Sequence, residues 1–268
     1  MTLSKIVELL DQVFTNESSQ NENFKLIVKN YDEYRGQNID DLEFSKIPNE
    51  YPISPFIYQI AYQIYQLFIN KNILFPSIAL NLLKEEDYNK ERTSKFEEVK
   101  KIIVGSIDQW SSGNDSVKLQ ILSNVIKCLN WRGLLDLLCI RKTKGSKDLL
   151  PIPREKLLEE FQKKHGPSKS LSVGAKALTK HCSRDLSSKW WGVASGSEDD
   201  KSKHALGKVN EILDGAVWIN VHQLPGKKDI IEVRNKDGYG ARWYYENHSF
   251  IGFVEPQVQE GWTTNYKH

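Results

Sequence analysis

The sequence has few cysteines and no long apolar run. The first argues against a disulfide-rich secreted protein, and the second against a protein that spans a membrane. The three cysteines, Cys128, Cys139 and Cys182, are an odd number at no recognisable spacing. This usage favours free thiols in a reducing compartment. No stretch approaches the roughly 18 apolar residues of a membrane span, and the first residues lack the features of a signal peptide. We therefore expect a cytoplasmic or nuclear protein with no membrane partner.

The familiar motifs of catalysis and cofactor binding are also missing. The sequence contains no phosphate-binding GxxxxGK[ST] loop, no dinucleotide-binding GxGxxG, no GxSxG and no HExxH. Its cysteines and histidines do not show the paired spacing of a zinc site. The sequence therefore predicts neither a cofactor nor a metal, and no motif in it specifies a reaction.

Charge is nearly balanced over the chain but unevenly distributed along it. The 268 residues include 37 Lys and Arg against 35 Asp and Glu. Residues 127–189 hold 15 basic and 6 acidic residues, whereas residues 1–126 hold 13 basic and 18 acidic. The basic middle segment is a candidate surface for an anionic ligand.

The first half shows only the periodicity of helices. Apolar residues recur at helical spacing from Ile6 to Phe14, from Phe24 to Tyr34 and from Phe56 to Phe68, and again in later segments ending at Leu129. No strand pattern precedes residue 130, so residues 1–140 are predicted to form a helical domain.

A change in composition separates this half from the rest. Residues 141–153 are basic, contain Gly and Ser and end in two prolines, which predicts a linker or an exposed connection. All six histidines and five of the seven tryptophans lie beyond it. Residues 154–268 are therefore predicted to form a second domain.

The second domain is predicted to combine helices with a small sheet. Helical patterns continue to Gly215, and four short strands follow between Ala216 and Pro256. Residues 229–235 and 241–247 flank Lys236-Asp237-Gly238, which is typical of a hairpin. Helices before a strand meander predict an α+β fold, with helices packed on one face of an antiparallel sheet of about four strands.

One predicted helix in the basic segment carries its charges on a narrow face. At about 100° per residue, Lys169, Lys176, Lys180 and Arg184 align on one side. Such a face can bind the phosphates of nucleic acid or of another ligand, and would position an RNA backbone. The alternative is an ordinary solvated helix face.

The predicted strands bring together residue types suited to phosphodiester cleavage. Alternation places Glu232 and Arg234 on one face of their strand, and His222 and Arg242 lie on other strands. Glu232 would act as base, His222 as acid, and the two arginines would hold the phosphate and stabilise its charge. Small microbial ribonucleases use these residue types on a sheet, but the sequence shows no resemblance to them. The alternative is a cross-strand ion pair beside a surface histidine.

Two adjacent tryptophans, Trp190 and Trp191, lie in a predicted loop. Neighbouring indoles in an extended segment cannot both point the same way. One is therefore predicted to cover the sheet while the other lines a ligand pocket.

Three functional hypotheses follow from these patterns. In the first, the C-terminal domain binds a phosphate-containing ligand such as RNA and acts on its phosphodiester. In the second, the chain is a non-catalytic interaction protein whose helical half binds a protein partner. In the third, the same polar cluster acts on a small metabolite.

Overall fold

The computed structural model describes residues 2–19, 21–34, 39, 42–70, 86–166, 170–184, 189–224, 226 and 228–256, apart from the side chains of Glu86, Asp87 and Arg184. These residues fall into two compact units. The first unit runs to Arg141 except for Asn49–Tyr51. The second unit combines Asn49–Tyr51 with the chain from Lys142 onward.

The named elements of the first unit are all helices, as its periodicity predicts, and turns and irregular chain join them over the described residues 42–48 and 52–55. Buried Leu9, Ile64 and Val125 contribute to its core. The side-chain oxygens of Thr2, Asn21 and Asn114 cap helix N-termini by accepting from backbone N–H groups. None of the helices described in either unit is both long and apolar enough to cross a membrane. The helices of the first unit are α1 (Leu3–Glu17), α2 (Glu22–Glu33), α3 (Phe56–Asn70), α4 (Glu86–Ser112) and α5 (Asp115–Leu137).

The second unit places three helices before a four-stranded antiparallel sheet. The strands follow the order β1-β2-β3-β4, so each pairs with its neighbour in sequence. Ser197 and Asp200 form a reciprocal capping box at the start of the last helix. The predicted α+β fold is therefore confirmed. The elements are α6 (Arg154–Gln162), α7 (Val173–Arg184), α8 (Glu198–Asp214), β1 (Ala216–Gln223), β2 (Asp229–Asn235), β3 (Gly240–Tyr244) and β4 (Phe250–Val254).

The sheet has one apolar face, and the helices pack against it. The indole Nε1 of Trp243 donates to the Leu157 carbonyl of α6 at 3.1 Å. The Phe161 ring, also from α6, lies 4.8 Å from the Phe250 ring and 5.8 Å from the Phe253 ring, centroid to centroid. Because side chains alternate along a strand, the residues on either side of Trp243 in β3 point to the opposite face.

The segment predicted as a linker or exposed connection, residues 141–153, instead packs against the sheet from Lys142 onward. The Lys147 amide donates to the Val221 carbonyl at 2.7 Å, and the Tyr245 hydroxyl donates to the Leu150 carbonyl at 2.9 Å. The Tyr51 hydroxyl likewise donates to the Ile152 carbonyl at 2.6 Å. Its prolines and glycine allow an irregular path, and backbone hydrogen bonds then attach that path to β1.

Two helical glycines provide a matched test of this packing. A Cβ at Gly174 in α7 would overlap the Phe161 ring, whereas no atom lies within 4 Å of the corresponding position at Gly207 in α8. We expect Gly174→Ala to lower the free energy of unfolding by about 1–3 kcal/mol through overpacking. Gly207→Ala is expected to raise it by about 1 kcal/mol, because alanine favours the helix. Urea unfolding of both variants checks this; a Gly174→Ala protein as stable as wild type would contradict the close approach of α7 to Phe161.

Candidate active site

Strand pairing brings the four predicted catalytic residues onto the sheet face opposite the helices. Glu232 on β2 pairs with Asn220 on β1 and with Arg242 on β3. His222 lies two residues beyond Asn220, and Arg234 two residues beyond Glu232. A two-residue step returns to the same face, so all these side chains share one face.

Glu232 is the centre of this group, which we call the Glu232 cluster: His222, Glu232, Arg234 and Arg242. Its Oε1 accepts from Nε of Arg234 at 2.5 Å, and its Oε2 accepts from Nε of Arg242 at 2.7 Å. Nε2 of His222 lies 3.2 Å from the same Oε2. The Glu232 side chain is only 2% exposed. A carboxylate this deeply buried needs such partners, because an unpaired buried charge is strongly destabilising.

The surroundings of Glu232 keep it ionised. Burial alone would raise its pKa, but the hydrogen bond from His222 and the positive charges of Arg234 and Arg242 outweigh burial. The pKa of Glu232 therefore lies well below its ordinary value of 4.5. A buried carboxylate with a low pKa is a weak and poorly accessible base. This position suits a group that orients its neighbours better than the general base that the sequence predicts.

An ionised Glu232 requires a hydrogen-bond donor at Nε2 of His222. A carboxylate only accepts hydrogen bonds, so Nε2 of His222 must carry the proton that it shares with Oε2. In a neutral imidazole, Nδ1 is then the proton acceptor. His222 keeps 21% of its side chain exposed. The ring is thus held with Nε2 as donor and is partly accessible to solvent.

The two arginines of the cluster have different surroundings. Arg234 is 3% exposed, and its Nη1 donates to the carbonyls of Gly238 at 2.6 Å and Glu255 at 2.8 Å. Those bonds tie β2 to the end of β4. They give Arg234 a structural role, which differs from the phosphate contact that the sequence predicts. Arg242 is 21% exposed and uses Nε to hold Glu232. Its terminal nitrogens have no acceptor among the described residues, so Arg242 is the member suited to bind a phosphate.

A second set of polar residues, which the sequence analysis did not select, supports the cluster. Asn220 is buried, and its Oδ1 accepts from the Ser146 hydroxyl at 2.8 Å. Its Nδ2 donates to the Thr143 hydroxyl at 3.0 Å. These bonds hold the segment after residue 141 beside β1, where Ser146 also forms a backbone bridge with His222. In the sequence, the only sign of this support is that Asn220 lies on the same face of its predicted strand as His222.

The predicted basic face lies on the other side of the sheet. Ala175 and Leu178 of α7 are buried, while Lys176 and Lys180 are exposed, so the predicted orientation of this helix is correct. Lys169 lies outside the described residues, as does the Arg184 side chain. The His181 ring of α7 contacts the Phe253 ring on the apolar face, 6.0 Å between centroids. Basic residues of α7 therefore do not border the Glu232 cluster.

The two tryptophans separate as predicted, but neither presents an open ring. Trp191 is fully buried, and its Nε1 donates to Oε1 of Glu255 at 2.7 Å. Trp191 is thus the indole that covers the sheet and not the one that lines a pocket. Trp190 stacks on Tyr239 at 4.2 Å, with the Lys208 ammonium 4.2 Å from its ring centroid. These contacts show a structural role for Trp190, and its predicted contact with a ligand stays a prediction.

Glu255 forms a second polar group on the side of the helices. Besides Trp191, its Oε1 lies 2.7 Å from Nδ1 of His181. The pair joins α7 to the end of β4. His181 is not among the site residues that the sequence predicts. In the part of the chain that the structure describes, no three His, Cys, Asp or Glu side chains are arranged to hold a metal ion.

Comparison with known families adds one observation to this geometry. Residues 161–255 match the CdiA C-terminal tRNase toxin domain. The matched segment begins at the last turn of α6 and contains α7, α8, all four strands and the whole Glu232 cluster. It spans less than half of the chain. No curated protein and no solved structure matches the sequence.

Proposed function

We propose that the second unit is an endoribonuclease, with transfer RNA as its first candidate substrate. The observation that carries this proposal is the Glu232 cluster, which lies inside the segment similar to a tRNase toxin domain. The cluster offers a half-buried imidazole and a half-buried guanidinium, both partly accessible, beside a buried carboxylate. Acid–base transfer and stabilisation of a phosphate need these groups.

In the proposed reaction the RNA supplies its own nucleophile. Nδ1 of His222 removes the proton from a ribose 2′-hydroxyl as O2′ attacks the adjacent phosphorus. The bond from phosphorus to O5′ then breaks, and O5′ takes a proton from water. The hydroxide that remains is neutralised by the proton on His222. The products are a 2′,3′-cyclic phosphate and a 5′-hydroxyl.

The other members of the cluster act on charge and position. The terminal nitrogens of Arg242 bind the phosphate oxygens, where negative charge grows in the transition state. Glu232 holds His222 in the tautomer with Nδ1 as acceptor and fixes the guanidinium of Arg242 through Nε. Arg234 positions Glu232. His222 and Arg242 are thus assigned as catalytic residues, and Glu232 and Arg234 as positioning residues.

The purified full chain is expected to cleave transfer RNA and to leave DNA of the same sequence intact, because DNA lacks the 2′-hydroxyl. Cleavage is expected to persist in EDTA, since the proposed reaction uses only the RNA 2′-hydroxyl, water and the side chains of His222 and Arg242. End-labelled substrates on denaturing gels measure the cleavage, and enzymatic removal of a cyclic phosphate identifies the new 3′ end. Equal cleavage of DNA, or products with a 3′-hydroxyl and a 5′-phosphate, would contradict the mechanism.

A further inference from the structure

A cavity lies at the end of the sheet where β2 begins and β3 ends. Its volume is about 370 Å³, and it is lined by Lys228, Asp229, Tyr244, Tyr245, Glu246 and Asn247. The lining combines aromatic rings, two carboxylates, an amide and an ammonium group. None of these residues belongs to the Glu232 cluster.

The strand register places this cavity next to the reactive groups. Ile230 pairs with His222 on one side and with Tyr244 on the other, so these three residues form one row across the sheet. The adjacent row contains Glu232 and Arg242. Tyr244 lies two residues from Arg242 and therefore on the same face. Two strand spacings separate His222 from Tyr244, about 10 Å between backbones.

We propose that this cavity binds the nucleobase next to the phosphate held by Arg242, an inference that rests on the proposed function. Proteins that bind single-stranded RNA stack unpaired bases on aromatic rings and hydrogen-bond to the base edges. Half-buried Tyr244 supplies the ring. The Lys228 ammonium lies 4.8 Å from its centroid and adds positive charge for the backbone.

The polar lining indicates which bases this subsite prefers. Carboxylates only accept hydrogen bonds, so exposed Glu246 and half-buried Asp229 favour base edges that present N–H donors. Guanine, adenine and cytosine each carry an exocyclic amino group, whereas uracil presents a single N3–H between two carbonyl oxygens, which a carboxylate repels. We therefore expect cleavage beside amino-bearing bases to exceed cleavage beside uracil.

The test compares full-length variants on a pool of RNA oligonucleotides, with the cut sites read by sequencing. Tyr244→Ala is expected to lower kcat/KM about 10- to 100-fold through lost stacking, and Tyr244→Phe, which keeps the ring, is expected to recover most of that loss. Glu246→Gln adds an N–H donor to the lining and is expected to weaken the preference against uracil. Lys228→Ala is expected to weaken RNA binding more than the matched Lys236→Ala, since Lys236 lies at the far end of the β2–β3 hairpin.

The possible outcomes separate this subsite from the proposed function. Wild-type protein that cleaves no RNA overturns the proposed function itself. Wild-type protein that cleaves RNA overturns the subsite alone if Tyr244→Ala and Glu246→Gln keep both its rate and its cut sites. Thermal unfolding confirms that each variant is folded, and exposed Glu246 provides the second measurement if Tyr244→Ala is not.

Discussion

Replacing His222 by alanine is expected to reduce RNA cleavage by roughly a hundred- to ten-thousand-fold, the usual contribution of a positioned acid or base. The imidazole is held at Oε2 of Glu232 and is partly exposed, so its loss removes the only assigned proton acceptor. Single-turnover cleavage of labelled transfer RNA measures the effect. It reports the chemical step separately from product release.

Arg242 is expected to contribute about as much to the cleavage rate as His222. Its contribution depends on the planar shape of the guanidinium as well as on its charge. Arg242→Ala should cost roughly a hundred- to a thousand-fold, as the loss of an oxyanion donor does. Arg242→Lys should recover little of that loss, because lysine cannot hold Glu232 and a phosphate with one planar group.

A second histidine, His204, provides the control for the His222→Ala prediction. His204 in α8 is half-buried and lies outside the Glu232 cluster, so His204→Ala is expected to cleave at the wild-type rate. Wild-type cleavage by His222→Ala would remove His222 from the mechanism. Equal losses in both histidine variants would indicate damage to the fold.

Replacing Glu232 by glutamine is expected to lower the free energy of unfolding by about 3–5 kcal/mol, the cost of breaking a buried ion pair from one side. Arg234 would stay 3% exposed with its positive charge no longer balanced. The amide would also present an N–H group where the arginines donate. Urea unfolding at neutral pH measures the loss, and Glu159→Gln, an exposed change in α6, is the control.

The contribution of Glu232 is also expected to depend on pH in a defined direction. Its folded-state pKa lies below the ordinary value of 4.5, so the unfolded chain binds its proton first as pH falls. The stabilisation is thus fully present above about pH 5 and is lost as pH falls through the folded-state pKa. The stability difference between wild type and Glu232→Gln should shrink in acid, below about pH 4, as the folded protein takes up the Glu232 proton. A difference that grows in acid would contradict the ion-pair assignment.

Much of the second unit could be predicted from local patterns. Alternating residues predict β2 at 229–235, which matches Asp229–Asn235, and Ser197 with Asp200 marks the start of α8. The predicted third strand, 241–247, was too long, because β3 ends at Tyr244 and the next residues turn toward β4. These successes and this error concern short-range geometry, which the nearest few residues determine.

The candidate site could be predicted only as a set of residue types. The alternation of side chains along a strand assigns each residue to one face of its own strand. It does not determine which strands pair or in what register. In the observed register, Glu232 lies between Asn220 on β1 and Arg242 on β3. Glu232 is therefore buried among its ion-pair partners, while His222 and Arg242 stay partly accessible.

The sequence by itself therefore determined the fold class, the helical first half and the strands, because each depends on local periodicity, and it supplied the cluster only as a set of residue types. The tertiary structure decided the rest. It placed α7 on the apolar face away from the cluster, attached the segment after Arg141 to β1, and buried Trp191. Those outcomes depend on contacts between residues far apart in the chain, which a local pattern does not encode.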